Sequence, residues 1–310
     1  MTGTTWAGLA AFRLVRMFEQ LLPRGLLTLA LLPAALVWAV LDWPKSRQAI
    51  AGLDRLPGAW RPNRLRFFVR QTIGFAHSRL VYLWPDRMSK RRWIKRCRLK
   101  GDFDLSELQE GEQPIIFASI HFGPFRTLPY WLRAHGIVTS AVVGRPISPQ
   151  GLVLDRLSVP VEIPPLEVVT NIGNLRRSIG PGRRLLIFTD VARGRRVEVP
   201  LGEQTFSMAT GAIRLAVATG AKLIPCLIVE NGVWNFAIHF GPAVPADLLR
   251  KGGDAAPAAS HLLREWLYVV RHFPVQSRYR FLSSISPAPA GQTPSGDGLW
   301  LDWRGASGTP

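Results

Sequence analysis

From about residue 111 onward, short apolar runs alternate with longer periodic segments, the pattern of an α/β domain. Residues 115–119 (IIFAS) read as a buried strand. Pro124 can open a helix that runs to about residue 135, and residues 137–143 read as the next strand, closed by a Gly-Arg-Pro turn at 144–146. Helical periodicity recurs at 150–158 and 168–179. Pro181 and Gly182 then punctuate the approach to a strand at 184–190, which ends in a charged loop. A helix over 207–219, strands over 222–229 and 234–240, and a last helix over 261–272 complete the pattern. The expected fold is therefore α/β, a mixed central sheet flanked by helices.

Upstream the pattern differs. Residues 25–41 (GLLTLALLPAALVWAVL) are uncharged and apolar, and as a helix they reach roughly 26 Å, slightly short of a hydrocarbon core of about 30 Å. With Pro33 inside it, the run suits a kinked or re-entrant anchor, a span, or a buried core helix. Composition sharpens this. The chain of 310 residues carries a net charge of +18, yet 47% hydrophobic and 19% charged residues exclude a disordered polycation. Residues 61–100 hold thirteen Arg and Lys against one acid, Asp86, and so carry two thirds of the excess. That stretch is studded with Trp60, Phe67, Phe68, Phe75, Trp84 and Trp93 in a spacing that reads as amphipathic helix. Basic charge beside aromatics suits an anionic headgroup layer, each cation near the surface contributing about 1 kcal/mol. No zinc-finger, RNP-type or basic-zipper pattern accompanies the charge, which argues against nucleic acid as the partner. Two cysteines, Cys97 and Cys226, give no disulfide framework and no zinc spacing. The chain divides into an anchor region (1–50), a basic amphipathic helical region (51–110), the α/β domain (111–285) and a Pro- and Gly-rich disordered tail (286–310).

Candidate chemistry gathers at strand ends. His121 follows the strand at 115–119 and precedes Pro124, where ligands of open α/β sheets collect. Asp190 ends a later strand, and Arg193, Arg195 and Arg196 crowd the loop around Gly194 that follows, a composition able to cradle phosphate or an acidic carrier.

In order, His121, Arg145 with Pro146, Asp190, Leu201 with Gly202, Thr210 with Gly211, residues 219–221 (TGA) and Pro225 resemble the lipid A biosynthesis lauroyl/myristoyl acyltransferase family, within the lysophospholipid acyltransferase superfamily. The resemblance covers residues 20–285 and is most specific over 190–225. It implies a glycerolipid-acyltransferase-like fold and an O-acyltransferase at the inner (cytoplasmic) membrane, with the domain on the cytoplasmic face. It further implies that His121 serves as general base, that acyl-CoA or acyl carrier protein serves as thioester co-substrate, and that a lipid or glycolipid is the acceptor. No metal or redox cofactor is implied. Arg126, Arg145, Arg193, Arg195 and Arg196 become candidates for substrate phosphates. One departure is central: where the family places Asp or Glu in its His-x4-acid motif, this chain has Arg126. Three readings stay open: another acid, Asp190 or Glu230, orients His121; His121 works without a carboxylate while Arg126 points away or binds phosphate; or the fold is kept as a catalytically inactive lipid- or partner-binding protein.

Overall fold

The computed structural model describes residues 43–56, 61–80, 94–142, 167–169, 179–191, 194–232 and 235–287, together with isolated positions 26, 33, 36 and 37. In chain order its principal elements are α1 (Trp43–Gly52), α2 (Arg64–Leu80), β1 (Cys97–Lys100), α3 (Leu105–Glu110), β2 (Ile115–Ser119), α4 (Leu128–Ala134), β3 (Thr139–Val142), β4 (Glu167–Val169), β5 (Arg184–Phe188), β6 (Arg196–Leu201) and β7 (Gln204–Ala209). There follow α5 (Gly211–Thr219), β8 (Lys222–Glu230), β9 (Phe236–Phe240), α6 (Ala256–Val270), α7 (Tyr279–Ser283) and β10 (Ile285–Pro287). Among the described residues one sheet has seven strands in the order β1-β9-β8-β2-β5-β3-β4. It is mixed, since β8 and β9 pair antiparallel while the other neighbours run parallel. A second, antiparallel sheet has the order β10-β7-β6.

The central strand shows why the sheet is sandwiched. All five residues of β2 are buried, as a strand covered on both faces requires. Because side chains alternate faces, Ile116 and Ala118 enter one core with Ile213 and Leu215 of α5 and Leu262 and Trp266 of α6, while Ile115 and Phe117 enter the other with Leu128 and Trp131 of α4. Each core is anchored by a fully enclosed indole, Trp266 in the first and Trp131 in the second. Truncating either to Ala costs about 3–5 kcal/mol. Helix α5 stops at Gly220, whose φ of +66° supplies the left-handed cap that other residues adopt reluctantly.

Several expected elements change. The helix expected over 207–219 begins only at Gly211, because residues up to Ala209 belong to β7, which pairs with β6 along its whole length. A two-residue turn at Gly202 and Glu203, with Gly202 at φ +61°, sets that hairpin. Val168 and Val169, expected in a helix, lie in β4 beside β3, as their β-branched side chains favour. The basic stretch 61–100 is helical over α2 but ends in a strand: Cys97 is buried and β1 runs parallel to β9 at the sheet edge. Ser286 and Pro287 pair with β7, so the second sheet reaches into the segment expected as tail. Apart from the isolated positions, the apolar run 25–41 lies outside the described residues, as do the expected turn at 144–146 and helix at 150–158. No helix among the described residues is long and apolar enough to cross a membrane.

Candidate active site

Strand register brings the two central residues together. β2 and β5 are hydrogen-bonded neighbours running parallel, with Ser119 opposite Phe188. His121 and Asp190 each lie two residues beyond that rung, at the carboxyl end of the sheet where α/β folds collect ligands. The ladder extends one step past the strands, since the Thr189 amide donates to the Ser119 carbonyl at 2.9 Å. Asp190 then holds the histidine twice: the His121 backbone amide donates to Oδ2 at 2.8 Å, and Nδ1 meets Oδ1 at 2.6 Å. The His121 side chain is 12% exposed and that of Asp190 is fully enclosed. With Nδ1 as the N–H that donates to the carboxylate, the lone pair falls on Nε2, the tautomer a general base needs.

Two aromatic rings wall the imidazole. Phe125 meets it edge-on with centroids 4.5 Å apart, and Phe188 lies tilted at 4.8 Å. Apolar walls shield the imidazole from water and strengthen its bond to Asp190 by lowering the local dielectric. The loop that carries His121 is itself pinned. Gly123 has φ +51°, and a Cβ there would lie 2.4 Å from the Ile228 carbonyl oxygen, so only glycine fits this turn.

The residue in place of the family's motif acid packs on one of these walls. Arg126 is exposed and lies over the Phe125 ring, its guanidinium carbon 5.8 Å from the centroid. The other candidate acid, Glu230, is committed elsewhere: its Oε2 accepts from Arg70 at 3.1 Å. Of the two acids weighed for the orienting role, the structure brings Asp190 to His121. Arg195 is exposed, and its carbonyl accepts from the Thr210 amide. Arg196, expected as a phosphate ligand, is instead a brace of the β6–β7 hairpin, donating to Ser207 Oγ at 2.8 Å, to the Ser207 carbonyl at 2.6 Å and to the Val191 carbonyl. Arg145 and Arg193 lie outside the described residues.

Behind the His121 loop lies a polar network that local sequence pattern hardly signals. Gln276 donates to the Glu230 carbonyl at 2.8 Å and accepts from its amide at 3.0 Å, while its own carbonyl accepts from the Gly123 amide at 2.9 Å. Arg278 donates from Nε to the Gly123 carbonyl at 3.0 Å and from Nη1 to Gln71 Oε1 at 2.7 Å. Gln71 in turn donates to the Ser277 carbonyl at 2.6 Å. Burial, and secondarily the charges of Arg70 and Arg126, push the Arg278 pKa down to about 10 against the opposing pull of Glu230, so it stays cationic at neutral pH. The hint available in the sequence was the clustering of Pro274, Gln276 and Arg278 after the last long helix. No group of three or more His, Cys, Asp or Glu side chains able to hold a metal ion occurs among the described residues.

Neither a family model nor a curated protein matches this sequence. Among solved structures, the fold is similar to the crystal structure of the 1-acyl-sn-glycerophosphate (LPA) acyltransferase PlsC from Thermotoga maritima, at 16% identity over 82% of this chain and 96% of that one. The TM-score is 0.34. So distant a likeness assigns neither fold nor activity to this chain.

Proposed function

We propose that this protein is a membrane-associated O-acyltransferase that moves a fatty acyl group from a thioester to a hydroxyl of a lipid or glycolipid acceptor. The observation that carries the reading is the 2.6 Å pair of His121 Nδ1 and Asp190 Oδ1 at the carboxyl end of the β2–β5 pair. The resemblance to the lipid A lauroyl/myristoyl acyltransferases supplies the reaction class, and the Asp190 contact supplies the acid that Arg126 removes from the motif.

In the reaction, His121 Nε2 takes the proton of the acceptor hydroxyl as its oxygen attacks the thioester carbonyl. Asp190 stabilises the resulting imidazolium and holds the ring, contributing to a general-base effect of about 10²–10⁴ in rate. The tetrahedral oxyanion collapses, the C–S bond breaks, and the imidazolium returns its proton to the departing thiolate. The donor is acyl-CoA or acyl carrier protein, whose acidic surface suits the cationic loop around Arg195.

Placement at the cytoplasmic face of the inner membrane is supported by the surface of α1 and α2. Leu65 (71% exposed), Val69 (45%) and Trp43 (48%) are bare apolar groups, and Leu65 and Val69 are one helical turn apart. Exposed Arg61, Arg64 and Arg66 flank them, the combination that binds an anionic bilayer.

The test is acyl transfer by the purified full chain in neutral detergent, with labelled acyl-CoA and acyl carrier protein as donors and a total lipid extract as acceptor. Wild type is expected to label a lipid and His121→Ala to lose at least about a hundredfold of that rate. A wild type inert with both donors, or as active as His121→Ala, rejects the reading.

A further inference from the structure

The turn that carries His121 is held from outside itself. Within it, the Phe122 amide donates to the Ile120 carbonyl at 2.8 Å, so His121 is the central residue of a tight three-residue turn. Such a turn fixes the histidine only if its exit is fixed, and residue 124, a proline, has no amide to offer. The exit is taken by the segment after α6, where Phe122 and Ser277 pair antiparallel. There the Gly123 amide donates to the Gln276 carbonyl at 2.9 Å, and the Gly123 carbonyl accepts from Arg278 Nε at 3.0 Å. We propose that Arg278 is a positioning residue for the general base: by gripping Gly123 it keeps the His121 ring in line with Asp190 and with the acceptor hydroxyl. The part that concerns the acceptor rests on the acyl-transfer reading; the part that concerns Asp190 does not.

Arg278 acts from a fixed frame. Its Nη1 donates to Gln71 Oε1 at 2.7 Å, and Gln71 Nε2 donates to the Ser277 carbonyl at 2.6 Å and the Val275 carbonyl at 3.2 Å, so α2 brackets the segment. Gln276 fastens the same segment to the end of β8 through both the amide and the carbonyl of Glu230. A planar guanidinium presents Nε and Nη1 at a fixed angle to Gly123 and Gln71, which a flexible ammonium does not reproduce. A charged donor also grips a carbonyl about twice as strongly as a neutral one. Stability alone gives weak reason for a cation here, because burial disfavours its charged form. A turn that must be held beside the base gives a stronger one.

The acid is held independently. The Ala209 amide donates to the Thr189 carbonyl at 2.8 Å, and Arg196 donates to the Val191 carbonyl, one residue to each side of Asp190. With Asp190 tied to the β6–β7 hairpin, the alignment of the pair depends on the histidine's own turn. The tolerance is small, since a base works within about 2.6–3.2 Å of its proton and a misplacement of about 1 Å can cost about a hundredfold in rate.

The experiment compares wild type, Arg278→Lys, Gln71→Met and Arg55→Ala as full chains in neutral detergent. Arg55 is the control: it too donates to a carbonyl near the C-terminus, at 3.1 Å, but to Leu282 in α7 and not to the His121 turn. Two readouts are taken below each protein's melting temperature. One is kcat and KM for labelled acyl-CoA or acyl carrier protein, with a total lipid extract in excess. The other is the proton spectrum of protein labelled with nitrogen-15 histidine, in which the Nδ1–H facing Asp190 is assigned by its loss in His121→Ala. Arg278→Lys is expected to lower kcat by about tenfold or more at little changed KM and to shift or broaden that resonance. Gln71→Met is expected to do the same to a smaller extent, and it decides the matter if Arg278→Lys does not fold. Arg55→Ala is expected to lower the melting temperature and leave kcat and the resonance as in wild type. A resonance unchanged in both Arg278→Lys and Gln71→Met overturns the proposal. So does a raised KM at unchanged kcat in Arg278→Lys, or a kcat loss in Arg55→Ala as large as in Arg278→Lys. If wild type transfers no acyl group, the enzyme reading falls and the resonance alone decides whether Arg278 holds the histidine.

Discussion

Two buried carboxylates stand at the ends of the two strands that flank β2, and they hold different partners. Asp190 follows β5 and grips His121; Glu230 ends β8 and grips Arg70. Both side chains are all but enclosed. The difference lies in the partner. Imidazole changes charge near neutral pH and can carry a proton between reactants, whereas guanidinium never gives its proton up in that range. One strand end thus carries a pair able to move a proton and the other a pair of fixed charges, and the loop 120–127 runs between them.

The sharpest way to break this comparison is Asp190→Asn. An amide can still accept or donate one hydrogen bond, but it cannot stabilise imidazolium, so transfer is expected to fall by about 10²–10⁴ while the melting temperature changes little. Steady-state rates beside a thermal melt check both halves. Full activity in a folded Asp190→Asn protein means that His121 needs no acid. Glu230→Ala is expected to do the reverse first: by taking the carboxylate away from Arg70 and Arg278, it destabilises by about 3–5 kcal/mol, read by urea denaturation. Loss below about 1 kcal/mol would show that the Arg70 pair is solvated and not a buried brace.

How far this was legible in the sequence depends on which force decides each feature. Strands β2, β5 and β8 were visible because burial on both faces demands continuous apolar runs, and short β-branched blocks such as IIFAS at 115–119 or CLIVE at 226–230 favour a strand over a helix at that length. The β6–β7 hairpin was missed although its turn was in view: residues 201–204 (LGEQ) carry the two-residue signal, but the neighbouring arginines and the helical propensity of 207–219 outweighed it. Of the site, His121 and Asp190 were each visible as strand-end polar residues. Their contact was not, because it depends on which strands are neighbours and in what register, a tertiary fact that local pattern does not contain. The meeting of Arg70 with Gln276 and Arg278 was invisible for the same reason, since Arg70 comes from a stretch of chain far from the other two.

His239 extends the comparison to a histidine that lacks an acid. It lies on β9, its Nε2 is buried without a hydrogen-bond partner, and burial, then the charges of Lys100 and His272, push its pKa down to about 4. The folded state therefore prefers the neutral ring. The stability this gives is present above the unfolded value near 6.5 and is lost as the pH falls towards 4, on the order of 3 kcal/mol over that window. Thermal melts from pH 7 to pH 4.5 are expected to decline, and His239→Gln to flatten the decline. An unchanged slope assigns the acid sensitivity to other groups.

The smallest expected effect returns to the residue that set the question. Arg126→Glu places an acid four residues after His121, the spacing of the family it resembles, yet at an exposed position stacked over Phe125 it should alter stability by no more than about 0.5 kcal/mol. The informative protein is the double variant with Asp190→Asn. If position 126 can deliver a carboxylate to Nδ1, the double variant regains the rate that Asp190→Asn loses. Asp190 already occupies that nitrogen and the adjoining backbone amide from the next strand, and the substituted amide side chain keeps the same place. The new carboxylate would have to displace it by moving the Phe125 wall. No regain is therefore expected, and the strand end, not the motif spacing, decides where this histidine finds its acid.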